Sequence, residues 1–182
     1  MAVSETIVRE YFELHDFFVR QNRKHIAPKR EDDEVDFYVH NPNGPTEGGE
    51  VPFVLENARD LETLTRAVVV VKAWHTEVFT QAVLAHAPEM FRFAGPETFA
   101  RATNAFGGPG PLTKILVIPA LPAGGEARQQ SIDLLHSKGI DAVIPFRTML
   151  SDLIEHIEVN RNYQKSDLLQ VIRILNSYDL FA

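Results

Sequence analysis

Residues 66–75, "RAVVVVKAWH", contain the longest run of β-branched residues in the chain. The four consecutive valines predict a strand that is buried on both faces, because a strand with one solvated face would alternate apolar and polar residues. Lys72, Trp74 and His75 follow at once, although a buried strand seldom ends on a lysine. Lys72 therefore has two interpretations. It extends its charged end to solvent from the edge of the core, or it has a chemical role.

Two further apolar runs predict neighbouring strands in the second half of the chain. These are "TKILVIPAL" (113–121) and "DAVIPF" (141–146). A helix is expected between them over 126–138, with Gly139 as its stop signal. A strand–helix–strand unit with a continuous apolar run in each strand predicts parallel pairing through a right-handed crossover.

The first half of the chain is expected to supply a helix and three strands. Ser4 and Glu5 mark the start of a helix that ends near residue 15. Together with the valine run these strands are "FFVRQNRKHIA" (17–27) and "VDFYVHN" (35–41), and "VPFVLEN" (51–57) is a candidate for a short added strand outside this order.

The remaining segments predict helices over 77–85 and 97–106, and two amphipathic helices over 149–157 and 166–178. The resulting order, α-β-β-β-α-β-α-β-α-α, predicts a mixed α/β sheet in one domain of residues 1–182. Residues 147–182 are expected to form a C-terminal helical extension. Its many apolar positions are explained either by helices that wrap the sheet or by a homodimer formed through these helices, and the homodimer is the preferred interpretation.

Composition excludes several classes of function. The chain has 182 residues and no cysteine, which excludes disulfides, thiol catalysis and cysteine-based zinc sites. It contains no apolar run of the roughly 18–20 residues that a membrane span needs. Its N-terminus, "MAVSETIVREYF", carries charges where a signal peptide needs an apolar core. We therefore expect a cytoplasmic protein.

The charges are unevenly distributed along the chain. The net charge is −7, which disfavours broad, non-specific DNA binding. Residues 1–30 nevertheless hold six Lys/Arg against four acids, whereas residues 31–62 hold ten acids against one arginine. Two solvated surfaces would explain this pattern, and so would a phosphate contact beside a cation site. The candidates for contact with nucleic acid lie in the basic strand: Arg20, Arg23 and Lys24.

The ordered elements resemble those of the PD-(D/E)xK nuclease superfamily, the restriction-endonuclease-like fold. The resemblance rests on a helix that carries Glu10, a basic strand, a strand with Asp36 in "EVDF", and a strand that ends at Lys72. It implies a central mixed sheet flanked by helices, with an α-β-β-β-α-β core. It also implies that Asp36 binds Mg²⁺ at one edge of the sheet, where Lys72 positions the attacking water and stabilises charge on the phosphate.

One position departs from the family's pattern. Side chains two apart on a strand share a face, and the family therefore spaces its second acid and its lysine as acid-x-Lys. The acid is expected at position 70, which is Val70 here. Glu10 is the preferred replacement ligand, and Glu56 and Glu77 are alternatives. The seven histidines show no recognisable ligand spacing.

The resemblance thus predicts a divergent Mg²⁺-dependent nuclease with an eroded or rearranged active site, in which Asp36 and Lys72 are catalytic and Asp36 and Glu10 hold the metal. Whether the chain is an enzyme is left open by Val70. One alternative is a non-catalytic nucleic-acid-binding or assembly module on the same fold. Another is an unrelated α/β protein in which Lys72 only reaches solvent.

Overall fold

A five-stranded mixed sheet forms the centre of the molecule. The computed structural model describes residues 3–21 and 35–181. In spatial order the strands are β1 (Phe18–Gln21), β2 (Phe37–His40), β3 (Arg66–Val71), β4 (Thr113–Ile118) and β5 (Ala142–Pro145). The pairs β1–β2 and β2–β3 are antiparallel, and β3–β4 and β4–β5 are parallel. The predicted mixed α/β sheet and the predicted parallel pairing of β4 with β5 are confirmed.

Six α-helices and two 3-10 helices flank the sheet within the described residues. The α-helices are α1 (Val3–Leu14), α2 (Gln81–Ala85), α3 (Pro96–Ala105), α4 (Gly125–Ser137), α5 (Phe146–His156) and α6 (Asp167–Ser177). The 3-10 helices span Ala58–Thr63 and Pro88–Ala94. No helix in the described part of the chain is both long and apolar enough to cross a bilayer.

The valines of β3 pack into two separate cores, one on each face of the sheet. Val69 belongs to a first cluster with side chains of α1 and α5, such as Tyr11 and Met149. Val68 and Val70 belong to a second cluster, which includes Leu84 of α2, Phe93 and Leu135 of α4. We call these two sides of the sheet the first face and the second face. The predicted strand, buried on both faces, is confirmed.

The segment 51–57 was expected to form a strand but makes only a single parallel bridge, between Val54 and Val143 of β5. Leu55 N donates to Val143 O, and Val143 N donates to Phe53 O. Pro52 has no N–H to continue the pairing. Asn57 then begins a 3-10 helix, where its side chain accepts a hydrogen bond from Arg59 N.

The region between β3 and β4 also differs from the prediction. The helix that was expected over 77–85 begins only at Gln81, because Thr80 caps it through its side chain. The 3-10 helix that follows, Pro88–Ala94, was not predicted. It places Met90 and Phe93 in the second core with no regular apolar period.

Candidate functional site

Asp36 and Lys72 lie at the same edge of the sheet. Asp36 directly precedes β2, and Lys72 directly follows β3. The antiparallel register pairs Phe37 with Val69, so the start of β2 lies beside the end of β3. Lys72 also continues the main-chain pairing with β4, since its N–H donates to Val117 O over 3.0 Å.

The carboxylate of Asp36 makes a structural contact with the end of β3. Its Oδ2 accepts a hydrogen bond from Val71 N at 2.7 Å, and the residue is only 9% exposed. A carboxylate accepts such charge-assisted bonds strongly. Asp36 therefore closes the end of the β2–β3 ladder through its side chain.

Asp36 also begins a β-bulge. Its N–H donates to Val69 O, although the register already pairs Val69 with Phe37, so Asp36 and Phe37 together oppose the one residue Val69 of β3. The side-chain directions agree, because Val35 belongs to the second core whereas Phe37, two residues on, belongs to the first. One extra residue changes the alternation in this way. The bulge sets the direction of the Asp36 side chain.

Val70, at the position of the expected acid, is a core residue. It is 1% exposed and packs in the second cluster with Phe79 and Leu84. Lys72 follows it by two residues and continues the alternation of β3 towards that face, because Val71 and Ala73 pack against the first cluster. The pair Val70–Lys72 thus has the predicted strand spacing, with an apolar side chain in place of the carboxylate.

Glu10 lies away from this edge, in contacts of its own. It is on α1, which packs on the first face. Its Oε1 accepts hydrogen bonds from Ser166 Oγ at 2.8 Å and from the Arg9 guanidinium at 3.0 Å. It lines a groove between α1 and the segment before α6, to which neither Asp36 nor Lys72 contributes. The structure therefore does not bring Glu10 to Asp36 and Lys72.

The alternative acids have different surroundings. Glu56 forms an ion pair with Arg128 of α4 over 2.9 Å. Glu77 is exposed in the loop after Trp74, on the wall of a shallow apolar depression beside α2. Residues 3–21 and 35–181 contain no group of three or more His, Asp or Glu side chains arranged to hold a metal ion.

Of the three basic residues predicted to contact nucleic acid, the structure describes Arg20, whereas Arg23 and Lys24 lie outside the described residues. Arg20 is exposed on β1, and its guanidinium lies 6.0 Å from the centre of the Tyr38 ring. This distance suits a cation–π contact. The register pairs Arg20 with Tyr38, and hence places both side chains on the second face.

Aromatic and cationic side chains continue across this face in two rows that the sequence analysis missed. One row runs Phe18–His40–Arg66 and the other Arg20–Tyr38–Val68–Lys114, each through directly paired residues. We call Phe18, Arg20, Tyr38, His40 and Arg66 the sheet platform. Arg66 lies 5.6 Å from the Phe106 ring centre and donates to Gly108 O, and Phe106 packs edge-on against Tyr38.

The platform lies at the opposite end of β3 from Lys72. Arg66 is the first residue of that strand, and His40, its partner, is the last of β2. Phe18 is 67% exposed and its ring centre lies 6.3 Å from that of His40. The sequence places Phe18 and Arg20 two residues apart, which puts both on one face of a strand. Which residues of the next strand lie beside them is known only from the register.

Two histidines share one carboxylate on the first face, a second feature that sequence analysis missed. Asp152 of α5 contacts His15 Nε2 through Oδ2 at 2.7 Å, and His156 Nδ1 lies 3.4 Å from Oδ1. Beside them, burial raises the pKa of the Tyr11 hydroxyl, and the charges of Asp152 and Asp60 raise it further. His15 and Asp152 are 137 residues apart, so no local spacing announces the cluster.

No family model, no curated protein and no solved structure matches this chain.

Proposed function

We propose that the chain is a nuclease-like domain that binds nucleic acid through the sheet platform and does not cleave it. The relation to the PD-(D/E)xK superfamily is supported by the order α1-β1-β2-β3, then helices, then β4, with β4 parallel to β3. Asp36 and Lys72 at one sheet edge agree with the same relation. The main support for the binding function is that two arginines of the second face lie against aromatic rings, Arg20 against Tyr38 and Arg66 against Phe106.

Three contacts support the absence of catalysis. Val70 occupies the acid position inside a core, Asp36 bonds to the main chain at Val71, and Glu10 bonds to Ser166 and Arg9. Hydrolysis of a phosphodiester by this family's chemistry needs carboxylates that share one metal ion beside the lysine. The carboxylates here stabilise the fold at separate places.

Charge and ring geometry support nucleic acid as the ligand. Arg20 and Arg66 supply positive charge on the same face, while Phe18, His40 and Tyr38 lie between and beside them. Proteins that bind nucleic acid without reading its sequence combine cations for phosphate with rings for bases. The net charge of −7 makes such a local patch necessary, because the molecule as a whole repels a polyanion.

The experiment is a fluorescence-anisotropy titration of labelled oligonucleotides at several salt concentrations, with Arg20→Ala and Arg66→Ala variants. We expect Arg20→Ala to weaken binding and to reduce the slope of log affinity against log salt by roughly 0.7 on a single strand. Arg161→Ala is the matched control, since Arg161 is exposed and lines the groove on the first face. Equal weakening in Arg20→Ala and Arg161→Ala would contradict the proposal.

A Mg²⁺-dependent nuclease is the second candidate, favoured by the single observation that Asp36 and Lys72 share a sheet edge. Asp36 would hold the metal ion, which would activate water and offset charge on the phosphate. Glu10, the predicted second ligand, would have to leave Ser166 and Arg9. Cleavage that requires Mg²⁺ and is abolished in Lys72→Ala would establish this candidate in place of the first.

A further inference from the structure

Phe18 is the most unusual residue of the sheet platform. It is a large apolar side chain, 67% exposed, in the outermost strand of the sheet that residues 3–21 and 35–181 form. Scattered exposed apolar residues are common, but an exposed edge strand usually carries charged side chains because it can pair with another chain. The neighbour Val19 packs against the first core, so the strand is not merely loose at this point.

The surroundings of Phe18 supply the other groups that a nucleotide needs. Its paired residue, His40, presents a second ring at 6.3 Å and a tilt of 43°. Arg20 lies two residues along the same strand and on the same face, about 7 Å away at the strand rise. Arg66 is next to His40 in the following strand. The exposed Phe18 ring thus has an arginine along its own strand and a second arginine across the sheet, beyond His40.

From this juxtaposition we infer that the ligand is single-stranded nucleic acid, with one base stacked on Phe18 and the flanking phosphates paired with Arg20 and Arg66. The inference rests on the proposed function and names its ligand class. A duplex hides the faces of its bases within its own stack, so a ring on a sheet surface can stack only on an unpaired base. Every base has such a face, which makes the contact tolerant of sequence.

Arg66 is held ready for this role by the loop after α3. Its guanidinium donates to Gly108 O at 3.1 Å, and a Cβ at Gly110 would come within 3.0 Å of its Nη1. The glycine at position 110 therefore leaves room for the arginine. Because Arg66 is oriented before binding, less side-chain freedom is lost when a phosphate pairs with it.

The test compares a single-stranded oligodeoxynucleotide with the same sequence annealed as a duplex, by anisotropy at fixed salt. We expect the single strand to bind more tightly, and Phe18→Ala to weaken its binding by roughly tenfold, as stacking contacts do. Phe18→Trp should retain the affinity, and its fluorescence should change on addition of the strand. Phe181→Ala is the control, because Phe181 is another half-exposed phenylalanine, after α6.

The outcomes separate this inference from the function on which it rests. Tighter binding of the duplex, or an unchanged affinity in Phe18→Ala while Arg20→Ala binds weakly, would overturn stacking and leave nucleic-acid binding in place. The absence of binding to either oligonucleotide would overturn both. Thermal unfolding of each variant ensures that a loss of affinity reflects the missing side chain and not an unfolded protein.

Discussion

Asp36 Oδ2 and Val71 N are joined by a hydrogen bond of 2.7 Å, which engages the acid that the nuclease resemblance predicts to bind metal. The bond connects the residue before β2 to the last residue of β3, at a bulge that directs the Asp36 side chain. An acid whose place in the sequence is that of a metal ligand is thus part of the hydrogen bonding at the end of the sheet.

Asp36→Ala should lower the free energy of unfolding by about 1–3 kcal/mol, because Val71 N–H would be left without its acceptor. Asp36→Asn keeps a carbonyl oxygen at this place and should cost less. Urea unfolding in metal-free buffer measures both. If the carboxylate served only to bind a metal ion, its removal would leave the free energy of unfolding unchanged or would raise it. Either result in Asp36→Ala would contradict the structural role.

Tyr11→Phe should raise stability by about 1 kcal/mol, since the Tyr11 hydroxyl is buried and has no hydrogen-bond partner among the described residues. The matched control is Tyr163→Phe, which should be destabilising, because the Tyr163 hydroxyl accepts a hydrogen bond from Glu158 N. Urea unfolding at neutral pH compares the two. Equal changes in the free energy of unfolding of the two variants would contradict a destabilising role of the Tyr11 hydroxyl.

The same residue predicts a loss of stability in alkali. Burial raises the pKa of Tyr11 above its ordinary value, so the unfolded chain ionises first. The contribution of the neutral Tyr11 side chain to the free energy of unfolding is fully present below about pH 10, the pKa of tyrosine in the unfolded chain. This contribution is lost as the pH rises further. The free energy of unfolding, measured at several pH values from 8 to 11, should therefore decline less steeply in Tyr11→Phe than in the wild-type chain. Parallel curves would contradict the prediction.

His15 and Asp152 should stabilise each other across α1 and α5. A double-mutant cycle of His15→Ala and Asp152→Ala should show a coupling of about 1 kcal/mol, as expected for a partly buried hydrogen-bonded pair at 2.7 Å. The cycle of His15→Ala with Asp133→Ala is the control, because Asp133 lies on α4 and bonds to Gln129. If the two substitutions change the free energy of unfolding additively, the contact between His15 and Asp152 contributes nothing to stability.

The homodimer predicted from the C-terminal helices has a specific surface to test. Val171 and Ile174 of α6 and Tyr178, which directly follows the helix, recur at a spacing of three to four residues and are exposed. Light scattering after size-exclusion chromatography should find a dimer that Val171→Asp with Ile174→Asp dissociates. Asn162→Asp with Gln164→Asp adds the same charge at exposed positions before α6 and should leave the dimer intact. A monomeric wild-type chain would contradict the prediction.

The sequence predicted the sheet well where one physical signal dominated. The valine run required burial on both faces, and the two later apolar runs with a helix between them required parallel strands. It failed where the local signal was mixed. In "VPFVLEN" the alternation indicated a strand, but Pro52 and the cap at Asn57 limit the segment to one bridge.

The candidate site was predictable only in part. The order of the elements indicates which strands are neighbours, but it does not indicate which residues of two neighbouring strands are paired. The place of Asp36 beside the end of β3 follows from an antiparallel β2–β3 pair. The bulge, the bond to Val71 and the separate position of Glu10 depend on packing that no local pattern encodes. The rows through Phe18 and Arg20 likewise needed the pairing of four strands.

A single incubation tests whether the chain binds a nucleic acid and leaves it uncut. A single-stranded oligonucleotide, labelled at its 5′ end, is mixed with an excess of the chain in Mg²⁺ or Mn²⁺, and both its anisotropy and its length on a denaturing gel are followed. We expect the strand to be bound at full length by the wild-type chain and to remain free with the Arg20→Ala variant. Cleavage of the strand by the wild-type chain, but not by Lys72→Ala, would contradict binding without cleavage and establish a nuclease.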